Sequence, residues 1–170
     1  MVEAFDPGKA AGNLSHVELF ASLNDDQRLA VASLCTLEWR EPEELLIAEG
    51  ADAGDLFILL RGEVNVSTRL KLPQLEQPER MLRRLNAEAT PVLGETALVG
   101  GAIRNATVRC VTRCALYRVD VTGLAELMQQ RPEIGVAIYR HLCKILYQRM
   151  QAANQDILKL STALLFALED

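Results

Sequence analysis

Apolar and polar residues alternate in short runs through the middle of the chain, and the pattern has a longer period on either side. From Trp39 to Val119, runs of β-favouring residues are broken by Gly, Pro, Asn and Asp. The runs cover residues 45–47, 56–60, 64–66, 81–85, 106–111 and 115–119. Such regular punctuation predicts a small antiparallel β-roll, with Gly50, Gly54 and Gly62 at turns or bulges.

A helix is predicted just before this region. Asn24, Asp25 and Asp26 form an N-cap cluster, because short polar side chains accept hydrogen bonds from the free amides of a first helical turn. The helix is expected over residues 27–37. The predicted organisation is an N-terminal helical segment (1–38), a β-roll (39–131) and a C-terminal helix (132–170).

The C-terminal helix carries a heptad-like apolar seam. Pro132 suits a first helical turn, and residues 133–168 would form a helix roughly 50 Å long. The seam consists of Tyr139, Leu142, Leu146, Met150, Ala153, Ile157, Leu160 and Leu164. Because a small roll cannot cover so long a helix, we expect part of the helix to pair with a second copy of the chain in a homodimer. The alternative is that residues 163–168 fold back onto their own domain.

Residues 67–91 interrupt the short-strand pattern. They carry Pro73, Pro78 and Pro91 within a mixed-charge stretch. A long, partly flexible loop is therefore expected there.

Charge, apolar run lengths and cysteine spacing argue against several classes of protein. The net charge is −5 and the pI about 5.2, so no broad basic surface for nucleic acid is indicated. No apolar run has the length of a signal peptide or membrane span, and we expect a soluble, cytoplasmic protein without membrane contact. The four cysteines, Cys35, Cys110, Cys114 and Cys143, are too scattered for a disulfide framework or zinc site. They are predicted to be small buried residues.

The candidate chemistry lies at Gly94-Glu95 and Arg104-Asn105-Ala106. Arg104 offers a planar fork of donors that matches phosphate oxygens, whereas the Glu95 carboxylate can only accept and suits a ribose hydroxyl. Residues 96–99 could form one helical turn whose free amides, beginning at Gly94, face an anion. Ala106 leaves room for close approach, and Asn105 could donate to a phosphate oxygen. The pattern fits the two ends of one nucleotide.

These residues resemble the cyclic nucleotide-binding domain family, which includes bacterial catabolite activator proteins and regulatory subunits of cyclic-nucleotide-dependent kinases. Residues 93–98, Leu-Gly-Glu-Thr-Ala-Leu, are similar to its phosphate-binding cassette, and residues 103–108 to the end of that cassette and the next strand. Residues 49–66 resemble its Gly-turn-strand-Gly-strand segment, and residues 19–23 its opening segment. The likeness runs from about Leu14 to about Met150. Residues 86–91 depart from it, because they replace the family's Gly-Asp at the pocket lip.

The resemblance implies an α+β, mainly β fold: a jelly-roll-like antiparallel β-roll, or double-stranded β-helix, flanked by N-terminal helices and a long C-terminal lid helix. It implies a site for cyclic AMP, or less favourably cyclic GMP. Its residues would be Gly94, Glu95, Thr96, Ala97, Arg104, Asn105 and Ala106, with Lys144, Gln148 and Arg149 as candidate purine contacts. Arg104 would bind the cyclic phosphate and Glu95 the ribose 2′-hydroxyl.

The predicted function is a regulatory sensor that signals through movement of its C-terminal helix. No enzymatic group, cofactor or metal is expected, because no nucleophile elbow, triad pattern or Walker loop is present. The chain ends at Asp170, where a DNA-reading helix-turn-helix would begin in the activators, so none is expected. The alternative is a degenerate family member that serves as a dimerisation or protein-docking module without ligand.

Overall fold

The computed structural model describes residues 5–52, 54–69, 79–89, 91–100 and 103–169. Within these residues the helices are α1 (Pro7–Leu14), α2 (Asp25–Ala32), α3 (Val121–Gln130) and α4 (Pro132–Glu169), with 3₁₀ segments at Glu18–Phe20, Ala87–Ala89 and Glu95–Val99. The strands are β1 (Cys35–Arg40), β2 (Leu45–Ile47), β3 (Leu56–Arg61), β4 (Glu63–Arg69), β5 (Glu79–Asn86), β6 (Val92–Leu93), β7 (Thr107–Cys110) and β8 (Cys114–Val119).

The strands form two antiparallel sheets. One has the order β1-β8-β3-β6 and the other the order β2-β7-β4-β5. One apolar cluster fills the space between the sheets, and a second joins the β1-β8-β3-β6 sheet to the helices. The predicted fold class, a mainly β antiparallel roll flanked by helices, is confirmed.

Strand β3 contributes to both clusters, because successive side chains of a strand point to opposite faces. Leu56 and Ile58 pack in the helix-facing cluster. Phe57 and Leu59 pack in the cluster between the sheets. The same strand therefore anchors the helices on one side and the interior of the roll on the other.

Helix α2 begins as predicted but ends earlier. Asn24 and Gln27 form a reciprocal capping box, with bonds of 2.9 and 3.0 Å. The helix stops at Ala32 rather than at residue 37, because Cys35–Arg40 pairs with β8 as strand β1. The alternation of buried Cys35 and exposed Thr36 is the two-residue period of a strand.

The predicted loop over residues 67–91 is largely a hairpin where the structure describes it. Strand β4 continues to Arg69, and β5 pairs with it from Glu63↔Asn86 to Arg69↔Glu79. Most of β5 is exposed, so its sequence lacks the apolar alternation that marks a half-buried strand. Residues 70–78 and 90 of the predicted loop lie outside the described residues.

Helix α4 runs for 38 residues, about 57 Å at 1.5 Å per residue. Its first half packs on the domain through the buried residues Ile134, Ile138 and Leu142. Leu142 and the half-buried Leu146, two residues of the predicted seam, are therefore used within the chain. From Ala153 to Leu168 every residue is exposed. Among the described residues, no helix is both long enough and apolar enough to span a bilayer.

The cysteines are free thiols, and their burial differs from the prediction at one position. Cys35, Cys110 and Cys114 are buried, whereas Cys143 is exposed on α4. The neighbouring Leu142 faces the domain, so the next residue along the helix points outward. Burial raises the pKa of Cys35 and of Cys110 to about 12, and a thiol hydrogen bond with Cys114 contributes at Cys110.

Candidate functional site

A cavity of about 210 Å³ opens between the β2-β7-β4-β5 sheet, the 3₁₀ segment Glu95–Val99 and α4. Its apolar wall comes mainly from the two sheets. The residues lining it are Ile47, Val66, Leu82, Arg83, Leu85, Val92, Leu93, Gly94, Glu95, Thr96, Arg104, Asn105, Ala106, Val108 and Arg149. An apolar pocket with a few converging polar groups is the usual form of a small-molecule site.

Arg104 is a buried cation in the wall of this cavity, with 6% of the residue exposed. Its backbone is held on both sides, since its carbonyl accepts from the Gly50 amide and its amide donates to the Ala51 carbonyl, each at 2.8 Å. The guanidinium donates through Nη1 to the Gly94 carbonyl at 3.0 Å and through Nη2 to the Asp55 carbonyl. The side chain is therefore oriented before any ligand arrives.

The electrostatic setting of Arg104 combines burial with nearby acids. Desolvation lowers the pKa of the Arg104 guanidinium, and the charges of Asp55 and Glu95 oppose that shift. The Asp55 carboxylate is itself paired with Arg118, at 2.8 Å from its Nε. Arg104 therefore remains a cation in a partly desolvated wall, where an anion is attracted more strongly than in water.

Gly94 is required beside this guanidinium. It has φ 77°, a left-handed conformation that residues with a Cβ rarely adopt. A Cβ at this position would overlap Nη1 of Arg104 and lie 3.1 Å from its Cζ and 3.2 Å from the Asp55 carbonyl oxygen. The glycine therefore allows the backbone turn and the approach of the guanidinium together.

Glu95 begins the 3₁₀ segment and is 2% exposed. Its Oε1 accepts from Nη1 of Arg149, which reaches in from α4. A carboxylate buried without a partner is costly, and the ion pair with Arg149 offsets part of that cost here. The sequence predicts that Glu95 and Arg149 share one pocket, but it carries no signal that they bind each other.

The other candidate phosphate contacts differ in whether they line the cavity. Thr96, Asn105 and Ala106 line the cavity. Ala97 is buried but does not line it, and its amide donates to the Gly94 carbonyl at 3.0 Å. That amide is therefore not available to an anion in this structure, in contrast to the prediction, because the 3₁₀ turn uses it.

The three candidate purine contacts on α4 are separated. Lys144 pairs with Glu18 at 2.9 Å and lines neither cavity described here. Gln148 lines an adjoining cavity of about 310 Å³, and Arg149 lines both cavities. Lys144 and Gln148 are both exposed to solvent, and Gln148 also borders the second cavity.

Two parts of the site were missed from the sequence. Strand β5 contributes Leu82, Arg83 and Leu85 to the cavity wall. The spacing of Arg83 and Leu85 in β5 could have indicated one shared face. The Asp55 carbonyl, which accepts from Arg104, carries no sequence signal because it is a backbone atom.

A family model described as a cyclic nucleotide-binding domain matches residues 37–131. The match covers more than half of the chain and includes Gly94, Glu95 and Arg104. The chain therefore belongs to the cyclic nucleotide-binding domain family.

Two curated relatives are similar over most of this chain. Glutaminase 2 of Bradyrhizobium diazoefficiens is 29% identical over 153 residues, which are 90% of this chain and 23% of that protein. Potassium channel AKT2 of Oryza sativa subsp. japonica is 27% identical over 142 residues, which are 84% of this chain and 16% of the channel. The chain thus spans less than a quarter of the length of either relative.

Solved structures agree on the fold. A cyclic nucleotide-binding domain from Methylobacillus flagellatus superposes with a TM-score of 0.72 at 19% identity, covering 89% of this chain and 82% of that one. The regulatory domain of Toxoplasma gondii PKA, crystallised with cAMP, gives a TM-score of 0.69 at 17% identity, covering 84% and 50%. At these identities the likeness establishes the shared architecture.

Proposed function

We propose that this domain is a cytoplasmic, non-enzymatic sensor of cyclic nucleotides. The observation that carries the proposal is the buried, pre-oriented guanidinium of Arg104 in the wall of an apolar cavity, with the Glu95 carboxylate beside it. Arg104 binds the cyclic phosphate and Glu95 the ribose 2′-hydroxyl. The backbone of Gly94, Glu95 and Thr96, with Asn105 and Ala106, surrounds the phosphate.

The dimensions of the site support a ligand of nucleotide size. Drug-sized ligands occupy pockets of about 300–1,000 Å³. The main cavity of about 210 Å³ is small for this range, but the adjoining one adds about 310 Å³. The phosphate and ribose would fill the first, and the purine would extend toward Gln148 and Arg149 on α4.

Cyclic AMP is the proposed ligand, with a mild preference over cyclic GMP. The cAMP complex of the Toxoplasma gondii regulatory domain, which shares this architecture, supports the choice. In this chain Gln148 and Arg149 border the space assigned to the purine, and Lys144 does not. Displacement of a fluorescent cyclic AMP analogue by each nucleotide measures the preference, and equal or tighter binding of cyclic GMP would refute it.

The output of the sensor is proposed to be movement of α4 within a homodimer. Met150, Ile157, Leu160 and Leu164 of the seam are each more than half exposed. Burial of a Leu or Ile contributes roughly 1.5–3 kcal/mol relative to exposure, so pairing this stripe with a second copy is favourable. The first half of α4 packs beside the cavity, so a ligand that moves it also moves the stripe.

Calorimetry on an Arg104→Lys variant tests the binding site. The substitution keeps the charge but removes the planar fork, so cyclic AMP affinity should fall at least tenfold, on the order of 1.4 kcal/mol. Arg84→Lys is the matched control, because Arg84 lies on β5 between Arg83 and Leu85 but pairs with Glu63 at 2.9 Å, away from the cavity. Equal affinity in the Arg104 variant and the wild type would overturn the assignment.

The second candidate function is a docking or dimerisation module without ligand. The exposed apolar half of α4 favours it, because a partner protein could cover Leu158, Leu165 and Phe166 as well as the seam. Thermal denaturation with millimolar cyclic AMP and cyclic GMP separates the two functions. A ligand at about 100 times its dissociation constant adds roughly 2.7 kcal/mol of stability, whereas a docking module shows no shift.

A further inference from the structure

Helix α4 carries a second apolar stripe beside the proposed dimer seam. It consists of Tyr147, Leu158 and Leu165, which are 54%, 67% and 65% exposed, and is called the outer stripe below. Intervals of 11 and 7 residues keep the three side chains within about 20° of one line along the helix. The Gln151 amide donates through Nε2 to the Tyr147 hydroxyl at 2.8 Å, so this ring is held along the same helix.

The outer stripe faces away from its own domain. Successive residues of an α-helix are rotated by about 100°, which places the outer stripe about 110° from the exposed part of the seam, Met150 to Leu164. It lies about 170° from the residues that pack on the domain, Ile134, Ile138 and Leu142. A second helix that pairs along the seam therefore leaves the outer stripe uncovered.

The apolar surface of α4 is wider than one partner helix covers. A two-stranded coiled coil buries a narrow line of residues, and the positions that flank this line often carry Glu or Lys. Leu158 and Leu165 directly follow Ile157 and Leu164 of the seam, so these flanking positions are apolar here. Two apolar stripes roughly at a right angle suit a helix with two neighbours, as in a four-helix bundle.

The charges of this segment favour further copies of the chain over a lipid surface. A helix that lies on a membrane usually has a polar face rich in Lys and Arg. Residues 153–168 contain only two charged side chains, Asp156 and Lys159, which lie 3.7 Å apart and cancel. Identical copies of the segment therefore do not repel each other, and each copy supplies a matching stripe.

We infer that the outer stripe is the contact between two homodimers, so that four copies of the chain associate through α4. The inference rests on the homodimer of the proposed function and extends its interface around the same helix. Two self-complementary faces on one chain close an assembly at four copies, the common dihedral tetramer. The occupant of the outer stripe is thus the outer stripe of another dimer.

The contact between dimers should be weaker than the contact within a dimer. The outer stripe has three apolar residues, whereas the exposed part of the seam has five. Asn154 and Ser161 lie between the two stripes and would face the centre of the bundle. Polar side chains at such positions fix the register of the helices at a cost in stability. Dimers are therefore expected at low concentration and tetramers at high concentration.

Sedimentation equilibrium of the chain from tens of micromolar to millimolar tests the inference. The wild type should pass from two to four times the chain mass of 18.8 kDa as its concentration rises. The double variant Leu158→Gln, Leu165→Gln should stay a dimer, with association between dimers weakened at least tenfold. Glutamine is a good helix former, so the change removes apolar contact and keeps the helix.

Phe166→Gln is the matched control. Phe166 is equally exposed on the same half of α4, but it lies about 90° from the outer stripe and about 160° from the seam. This variant should form the tetramer as the wild type does. Circular dichroism of each variant checks that the helix is retained. If the glutamine double variant loses helix, Leu158→Ala with Leu165→Ala provides a second test and should weaken the tetramer in the same direction.

The outcomes separate failure of the inference from failure of the proposed function. A wild type that stays a dimer at millimolar concentration overturns the inference alone. A tetramer that persists in the double variant does the same, as does one that Phe166→Gln also abolishes. A monomer at every concentration overturns the proposed homodimer and the inference with it, whereas cyclic nucleotide binding is tested independently by the calorimetry on Arg104→Lys.

Discussion

Substitution of Gly94 by alanine tests whether the guanidinium of Arg104 is held in place by the absence of a side chain. At φ 77° an alanine costs about 1–2 kcal/mol in backbone strain alone. Its Cβ would also overlap Nη1 of Arg104, so the guanidinium must move. That movement breaks at least one of its bonds to the Gly94 and Asp55 carbonyls, each worth about 1.5–3 kcal/mol. The expected loss of unfolding free energy is about 3–5 kcal/mol.

Gly50→Ala is the matched control for this change. Gly50 also has a positive φ, 85°, but a Cβ there would meet no atom within 4 Å. The Gly50→Ala variant should therefore lose only about 1–2 kcal/mol of unfolding free energy, which is the cost of the strained backbone. Urea denaturation of both variants at one protein concentration, followed by circular dichroism, gives the comparison. Equal losses for the two variants would refute the reasoning, because the guanidinium would then adapt at no cost.

Two further predictions concern α4 and the thiols. Replacing both Ile157 and Leu160 with Asp should convert the homodimer into a soluble monomer with its roll intact, because charges then enter the exposed stripe. Analytical ultracentrifugation tests the dimer, and a wild-type protein that sediments as a monomer at tens of micromolar would contradict it. In the native protein Cys143 should react with a thiol reagent at mildly alkaline pH, while Cys35 and Cys110, whose burial raises their pKa to about 12, should react only after denaturation. The absorbance of the released chromophore measures the number of reactive thiols. One equivalent is expected before denaturant is added, and rapid release of several equivalents would contradict the prediction.

The elements that the sequence predicted are those whose signal is local. The short runs broken by Gly and Asp predict β2, β3, β4, β7 and β8, because each buries at least one face in a cluster. Pro132 predicts the start of α4, and the heptad-like spacing of its apolar residues predicts that the helix is continuous. The spacing of Glu95 and Arg104 brings both into one cavity.

The features that were missed depend on distant partners. Cys35, Thr36 and Leu37 extend a helical pattern but become strand, because β8 offers hydrogen bonds along its edge. Strand β5 was predicted only as a run at residues 81–85, and its ends and its pairing with β4 were not, because the strand is nearly all exposed and burial left little trace in its sequence. The ion pair of Glu95 with Arg149 joins residues 54 positions apart and follows from the path of α4.

The sharing of strand β3 between two clusters has a consequence for how the protein melts. Leu56 and Ile58 belong to the cluster that the helices complete, and the same strand holds Phe57 and Leu59 beneath the cavity wall. The helices and the roll should therefore unfold in one cooperative transition, and a ligand bound at Arg104 should slow amide exchange in helices that it never touches. Residues 153–168 of α4, which are exposed throughout, contact neither cluster and should exchange at a rate set by their own helix.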